Sequence, residues 1–151
     1  MKKYSNILKN KNEQSVCTYL GFLQNNISRM ATNSSNTKAL VAVIYTIYAT
    51  VLSAIEIFEP YWCIGIVITF IGALMDAYYL ALERVYVQKY NVFVNDLNKG
   101  KLKTIEIYNM KPKNTDFKYE IVGLMLESIT SFSIVGYYIL FIVITILLKF
   151  I

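Results

Sequence analysis

The sequence contains no histidine, only two cysteines and two prolines, and ten acidic residues against fifteen basic ones. Each shortage excludes something. Without an imidazole the chain lacks one of the commonest general bases and metal ligands, and Cys17 and Cys63 offer no metal-ligand spacing. No catalytic site, metal or cofactor is expected, and the chain is not expected to be an enzyme. Acids are scarcest near the start, where Lys2, Lys3, Lys9, Lys11, Arg29 and Lys38 face only Glu13.

Apolar surface, by contrast, is in excess. Hydrophobic residues make up 56% of the chain, more than a soluble domain of this length needs to fill one core. They are gathered at 40–58, 61–82 and 134–148, blocks close to the roughly 20 residues that cross a ~30 Å hydrocarbon layer as a helix. Residues 129–133 can lengthen the third. A cleaved signal peptide is not expected, because the first block begins only at Leu40 and a polar, helical pattern precedes it. The fold class predicted is an all-α integral membrane protein. An amphipathic cytoplasmic helix occupies 1–36, a transmembrane hairpin 37–83 with spans near 38–58 and 61–82, a small cytoplasmic segment 84–130, and a third transmembrane helix 131–151.

Charge then sets the orientation. The link between the first two blocks holds only Glu56 and Glu59, whereas Lys89, Lys99, Lys101, Lys103, Lys111, Lys113 and Lys118 precede the third. The positive-inside rule places the N-terminus and the lysine-rich segment in the cytoplasm of a bacterial inner membrane, and the acidic link and the residues after Lys149 outside. Cys17 and Cys63 then lie in different compartments, so no disulfide joins them.

Local patterns refine this outline. Val16, Tyr19, Leu20, Leu23, Ile27 and Met30 recur at helical steps, and the polar cluster Thr32, Asn33, Ser34, Ser35 and Asn36 predicts a break before a span starting near Thr37. Pro60 suits a first helical turn, and Tyr61 and Trp62 suit the membrane interface. Gly65 and Gly72 share a face where another helix can approach closely. The second span continues towards Leu97 and turns at Asn98, Lys99 and Gly100. A short strand is read at 104–108, and Asn114 or Thr115 caps a helix whose face holds Phe117, Ile121, Leu124 and Ser128. Residues 128–133 read as a joint.

Three groups of polar residues are candidate functional positions. Asp76 lies inside the second block, where an ionised carboxylate costs roughly 2.5–3.5 kcal/mol, so it needs a partner: Lys38, Tyr45 or the polar cluster. Folding the hairpin about 58–61 sets Asp76 level with Val43 and Lys38 level with Ala81. A structural bracket and the lining of a water-filled conduit are both open to Asp76. Glu83 shares its helix face, and Arg84 is read as a headgroup anchor, but no nucleophile stands beside the two carboxylates to make a catalytic pair. Lys99, Lys101, Lys103, Lys111 and Lys113, with Tyr108 among them, can attract an anionic ligand, although positive-inside bias alone places lysines there. Thr46, Thr50 and Ser53 repeat along the first span as a pore stripe would, a spacing that also serves helix packing.

Two runs carry a resemblance: Ile27-Ser28-Arg29-Met30-Ala31-Thr32-Asn33-Ser34 followed by Lys38, and Met75-Asp76-Ala77-Tyr78-Tyr79-Leu80-Ala81-Leu82-Glu83-Arg84. Both resemble a widespread family of small bacterial membrane proteins, some of which are similar to the membrane effector of the Hailong anti-phage defence system, encoded beside a nucleotidyltransferase. The resemblance implies an oligomeric ion channel, held closed by DNA oligomers from the partner enzyme and opened when infection removes them. It carries over Arg29, Asn33, Ser34, Lys38, Asp76, Tyr79, Glu83 and Arg84 as structural or gating positions, and reaches nothing in 99–118. A homo-oligomer, with a tetramer favoured, is the assembly expected. The rival expectation is a non-conducting membrane adaptor that recruits a soluble partner.

Overall fold

The structure, a computed structural model, describes residues 13–54, 61–99 and 117–149. These form four helices: α1 (Glu13–Ala54), α2 (Trp62–Asn98), α3 (Phe117–Ile129) and α4 (Phe132–Lys149). At 1.5 Å per residue the 42-residue α1 is about 63 Å long and the 37-residue α2 about 56 Å, each about twice a ~30 Å hydrocarbon layer. Each is therefore a span joined without interruption to a stem.

The break expected at 32–36 is absent, and the N-terminal segment and first span are one 42-residue helix. Of the cluster, Ser34 has a partner that does not compete with the helix, and Thr37 just after it bonds within the helix. Thr37 donates its hydroxyl to the carbonyl of Asn33 at 2.9 Å, and Ser34 donates to Asp76 across the hairpin. Packing on both sides holds the backbone helical, since Met30, Ser34, Thr37 and Val41 are all buried at helical spacing. The turn expected at Asn98 and Lys99 is observed, and there the amide of Lys99 donates to the carbonyl of Asn95 at 3.0 Å.

The stems pack through Val16, Tyr19, Leu23 and Phe93, with the rings of Tyr19 and Phe93 edge-on at 4.8 Å. Deeper in, the glycines set the helix separation. A Cβ at Gly72 would collide with the side chain of Val41 and lie 3.2 Å from the Tyr138 ring, and one at Gly65 would lie 2.8 Å from the Tyr48 ring and 3.0 Å from the Thr145 hydroxyl. Two missing side chains thus let α1 and α4 both close onto α2. These contacts also correct the expected register. With Gly72 against Val41, Asp76 lies level with Thr37 and Lys38 rather than with Val43.

Helix α4 lies against both long helices, held by tyrosine hydroxyls that donate to backbone carbonyls. Tyr138 reaches Gly72 O at 3.1 Å, Tyr137 reaches Lys38 O at 2.7 Å, and Tyr45 on α1 reaches Phe141 O at 3.1 Å. In hydrocarbon such hydroxyls have no water to turn to, so these bonds fix the packing. The joint read at 128–133 is present, and the chain bends by 57° between the helical stretches 121–129 and 132–148.

Helices α1 and α2 are each long and apolar enough to cross a membrane, while the bent pair of α3 and α4 counts as a third only if taken as one span. Leu40, Val43, Ile47, Val67 and Phe70 are each more than half exposed, which is a surface for lipid rather than for water. The strand read at 104–108, the cap at Asn114 or Thr115, and Lys101, Lys103, Lys111 and Lys113 lie outside the described residues.

Candidate functional site

Helical spacing places Ser34 and Lys38 one turn apart on α1, facing α2. Asp76 on α2 has no solvent exposure, and its Oδ2 lies 3.1 Å from the Lys38 Nζ, whose side chain is 22% exposed. Ser34 donates its hydroxyl to the other carboxylate oxygen. Lys38 also donates to the Ser133 hydroxyl of α4 at 3.1 Å, and its carbonyl accepts the Tyr137 hydroxyl. One buried carboxylate therefore gathers three helices. The lysine contact is Coulombic rather than an aligned hydrogen bond, because Oδ2 has no donor at hydrogen-bonding geometry.

Of the three partners considered for Asp76, Lys38 and the polar cluster are in place and Tyr45 is not. Tyr45 lies further into the span, where it shares a 2.7 Å hydrogen bond with Thr145 and packs edge-on against Phe141 at 4.8 Å. Glu83 is half-buried about two turns along α2 from Asp76, too far to act with it. Arg84, read as a headgroup anchor, instead pairs with Glu127 of α3 at 3.3 Å, joining α2 to the element before the bend. Among the other family-matched positions, Tyr79 is half-buried with its ring 5.7 Å from Tyr78, Asn33 is half-buried, and Arg29 is exposed.

The hydroxyl stripe faces outward. Thr46, Thr50 and Ser53 are exposed, and each donates its proton to its own helix, at the carbonyls of Ala42, Thr46 and Ala49, at 2.8, 2.8 and 2.9 Å. What each oxygen turns outward is an acceptor, a surface that favours cations over anions. Of the basic candidates, Lys99 is exposed at the end of α2. Lys89, also on the stem, is partly buried, and that burial lowers its ammonium below the usual lysine range.

Sequence reasoning missed Ser133, Tyr137, Tyr138 and Glu127. Their partners lie far away in the chain: Lys38 and Ser133 are separated by 95 residues. Tyr45 inside the first apolar block and Tyr137 and Tyr138 inside the third each need a hydroxyl partner, and that need was a signal. The chain matches no protein-family model, no curated protein and no solved structure.

Proposed function

We propose that this chain is the subunit of a homo-oligomeric ion channel in a bacterial inner membrane. In this reading it is an effector of anti-phage defence, held closed by a nucleotide or DNA-oligomer ligand made by a partner nucleotidyltransferase. The observation that carries the channel reading is the stripe of Thr46, Thr50 and Ser53. It presents acceptor oxygens from the outside of a membrane-length helix, where lipid gains nothing from them and a hydrated cation does. A subunit with two or three spans encloses no pore, so conduction needs several copies. The buried Lys38–Asp76 bracket then holds α1, α2 and α4 as one rigid unit beside that path. The ligand assignment is supported by the family resemblance of Arg29 to Lys38 and Asp76 to Arg84, and by the positive charge that begins at Lys99.

Expression of the chain without its neighbouring gene should depolarise the host, read with a potential-sensitive dye, and an active partner nucleotidyltransferase should relieve the toxicity. Short DNA should bind the purified oligomer less tightly as salt rises, since phosphate contacts release counterions. Full membrane potential at an expression level confirmed by blot, with no conductance in planar bilayers and a soluble protein co-purifying, would move the assignment to a non-conducting adaptor.

A further inference from the structure

Among the described residues, four side chains hold a fully buried nitrogen or oxygen with no hydrogen-bond partner: Asp76 at Oδ2, Arg84 at Nη1, and Ser128 and Ser131 at Oγ. They belong to one strip of the molecule. Arg84 pairs with Glu127, Asp76 pairs with Lys38, and Lys38 bonds Ser133, so the chain from 127 to 133 runs along α2 from Arg84 towards Asp76. Ser128 and Ser131 lie between these two ties, and the Ser131 amide donates to the Ser128 carbonyl at 3.0 Å. Eight residues of helix make the strip about 12 Å long. Between its ends the buried residues of α2 are Ala77 and Ala81, whose side chains offer a hydroxyl nothing to bond.

Orphaned hydroxyls are not the habit of this fold. Thr46, Thr50, Ser53, Thr69 and Thr145 each donate to the carbonyl one turn back on their own helix, at 2.8 to 2.9 Å. Ser128 has the same kind of acceptor one turn back, at Leu124, and does not use it, although the residue has no solvent exposure.

We infer that this strip is a binding site for water, a short file of molecules linking the Asp76 carboxylate, the two serine hydroxyls and the Arg84 guanidinium. The mixture of groups decides the ligand. Asp76 Oδ2 only accepts, Arg84 Nη1 only donates, and the hydroxyls do either. A cation would be repelled by Arg84 and Lys38, and an anion by Asp76 and Glu127, whereas water donates and accepts and so meets all four atoms. Burial makes the demand strong, because an unmade hydrogen bond costs more in a low-dielectric interior than at a wet surface. The break between α3 and α4 fits the same reading, since a helix interrupted at membrane depth is tolerated where protein or water satisfies the freed groups. Arg84 keeps 32% of its side chain exposed and Asp76 none, so the file opens at the surface beside Arg84 and ends at the carboxylate. The site lies within one subunit and stands whether or not the chain conducts.

Water-edited solid-state NMR on the full chain in lipid vesicles tests this. Polarisation from water should reach Ser128 early, whereas Thr69 and Thr145, equally buried but bonded to their own helices, should receive it late. The sign of one substitution gives a second measurement. Removing a hydroxyl that holds water breaks hydrogen bonds, so Ser128→Ala should lower the thermal midpoint by roughly 2–4 °C. Removing a dry, orphaned hydroxyl relieves a penalty and raises the midpoint instead. Build-up at Ser128 as slow as at Thr69, or a midpoint that holds or rises in Ser128→Ala, would overturn the water site.

Discussion

Asp76 is the residue on which most of the architecture depends. Asp76→Ala leaves the Lys38 ammonium in a largely dehydrated position, and removing one partner of a buried pair costs about 3–5 kcal/mol. The thermal midpoint in detergent should fall far more than for alanine at Glu59. The double variant Lys38→Met with Asp76→Leu should recover most of the loss, since an apolar pair of similar volume has no desolvation to offset. If Asp76→Ala melted like the parent the bracket reading of this residue would fail, and if it also assembled and acted like the parent the conduit reading would fail with it. The glycines give a second comparison at this scale. Gly72→Ala drives a methyl into Val41 and should destabilise by about 1–3 kcal/mol, whereas Gly123→Ala on α3, with no atom within 4 Å, should be neutral or stabilising. Equal melts for the two would show that α1 does not approach α2 through Gly72.

At the scale of the element, α1 runs unbroken through the polar cluster. Asn36→Pro removes a backbone donor and clashes with the preceding turn, so it should cost about 3 kcal/mol or more in thermal stability. A proline tolerated there would restore the break that the polar run predicts. Such a run reads as a terminus because Ser, Thr and Asn favour caps when nothing else occupies their side chains. Here Asp76 occupies the Ser34 side chain, and the carbonyl of Asn33 that of the adjoining Thr37. The tie between α2 and α3 is weaker. Glu127 is 69% exposed, so Glu127→Gln should change stability by less than about 1 kcal/mol, and a larger loss would show Arg84 more deeply buried than it stands.

For the whole molecule, we propose from the charge distribution that Met1 and the segment after Lys99 lie in the cytoplasm and Ile151 outside. A reporter fused after Ile151 should be active only on the outer side. Activity in the cytoplasm would instead make α3 and α4 a re-entrant pair, for which the 57° bend between them is suited. A charge test addresses the ligand. Changing Lys99, Lys101 and Lys103 together to glutamine should weaken closure by an anionic ligand and raise toxicity in cells that carry the partner enzyme. Unchanged toxicity and unchanged DNA affinity would remove this segment from ligand binding.

What the chain's sequence determined by itself was whatever depends on local composition: that it is helical, that its apolar blocks match a bilayer, and that Asp76 is too costly to face lipid. Its partner was legible too, because Lys38 was a cation within reach. The glycine contacts were legible because a bare backbone on a span invites a neighbour. Tertiary structure alone decided the register, the unbroken α1, the Arg84–Glu127 pair and the anchoring of Lys38 to Ser133 and Tyr137. Each of these joins residues far apart in the chain. Its energy comes from groups that meet only after the helices have packed, and no periodicity along the sequence encodes such a meeting.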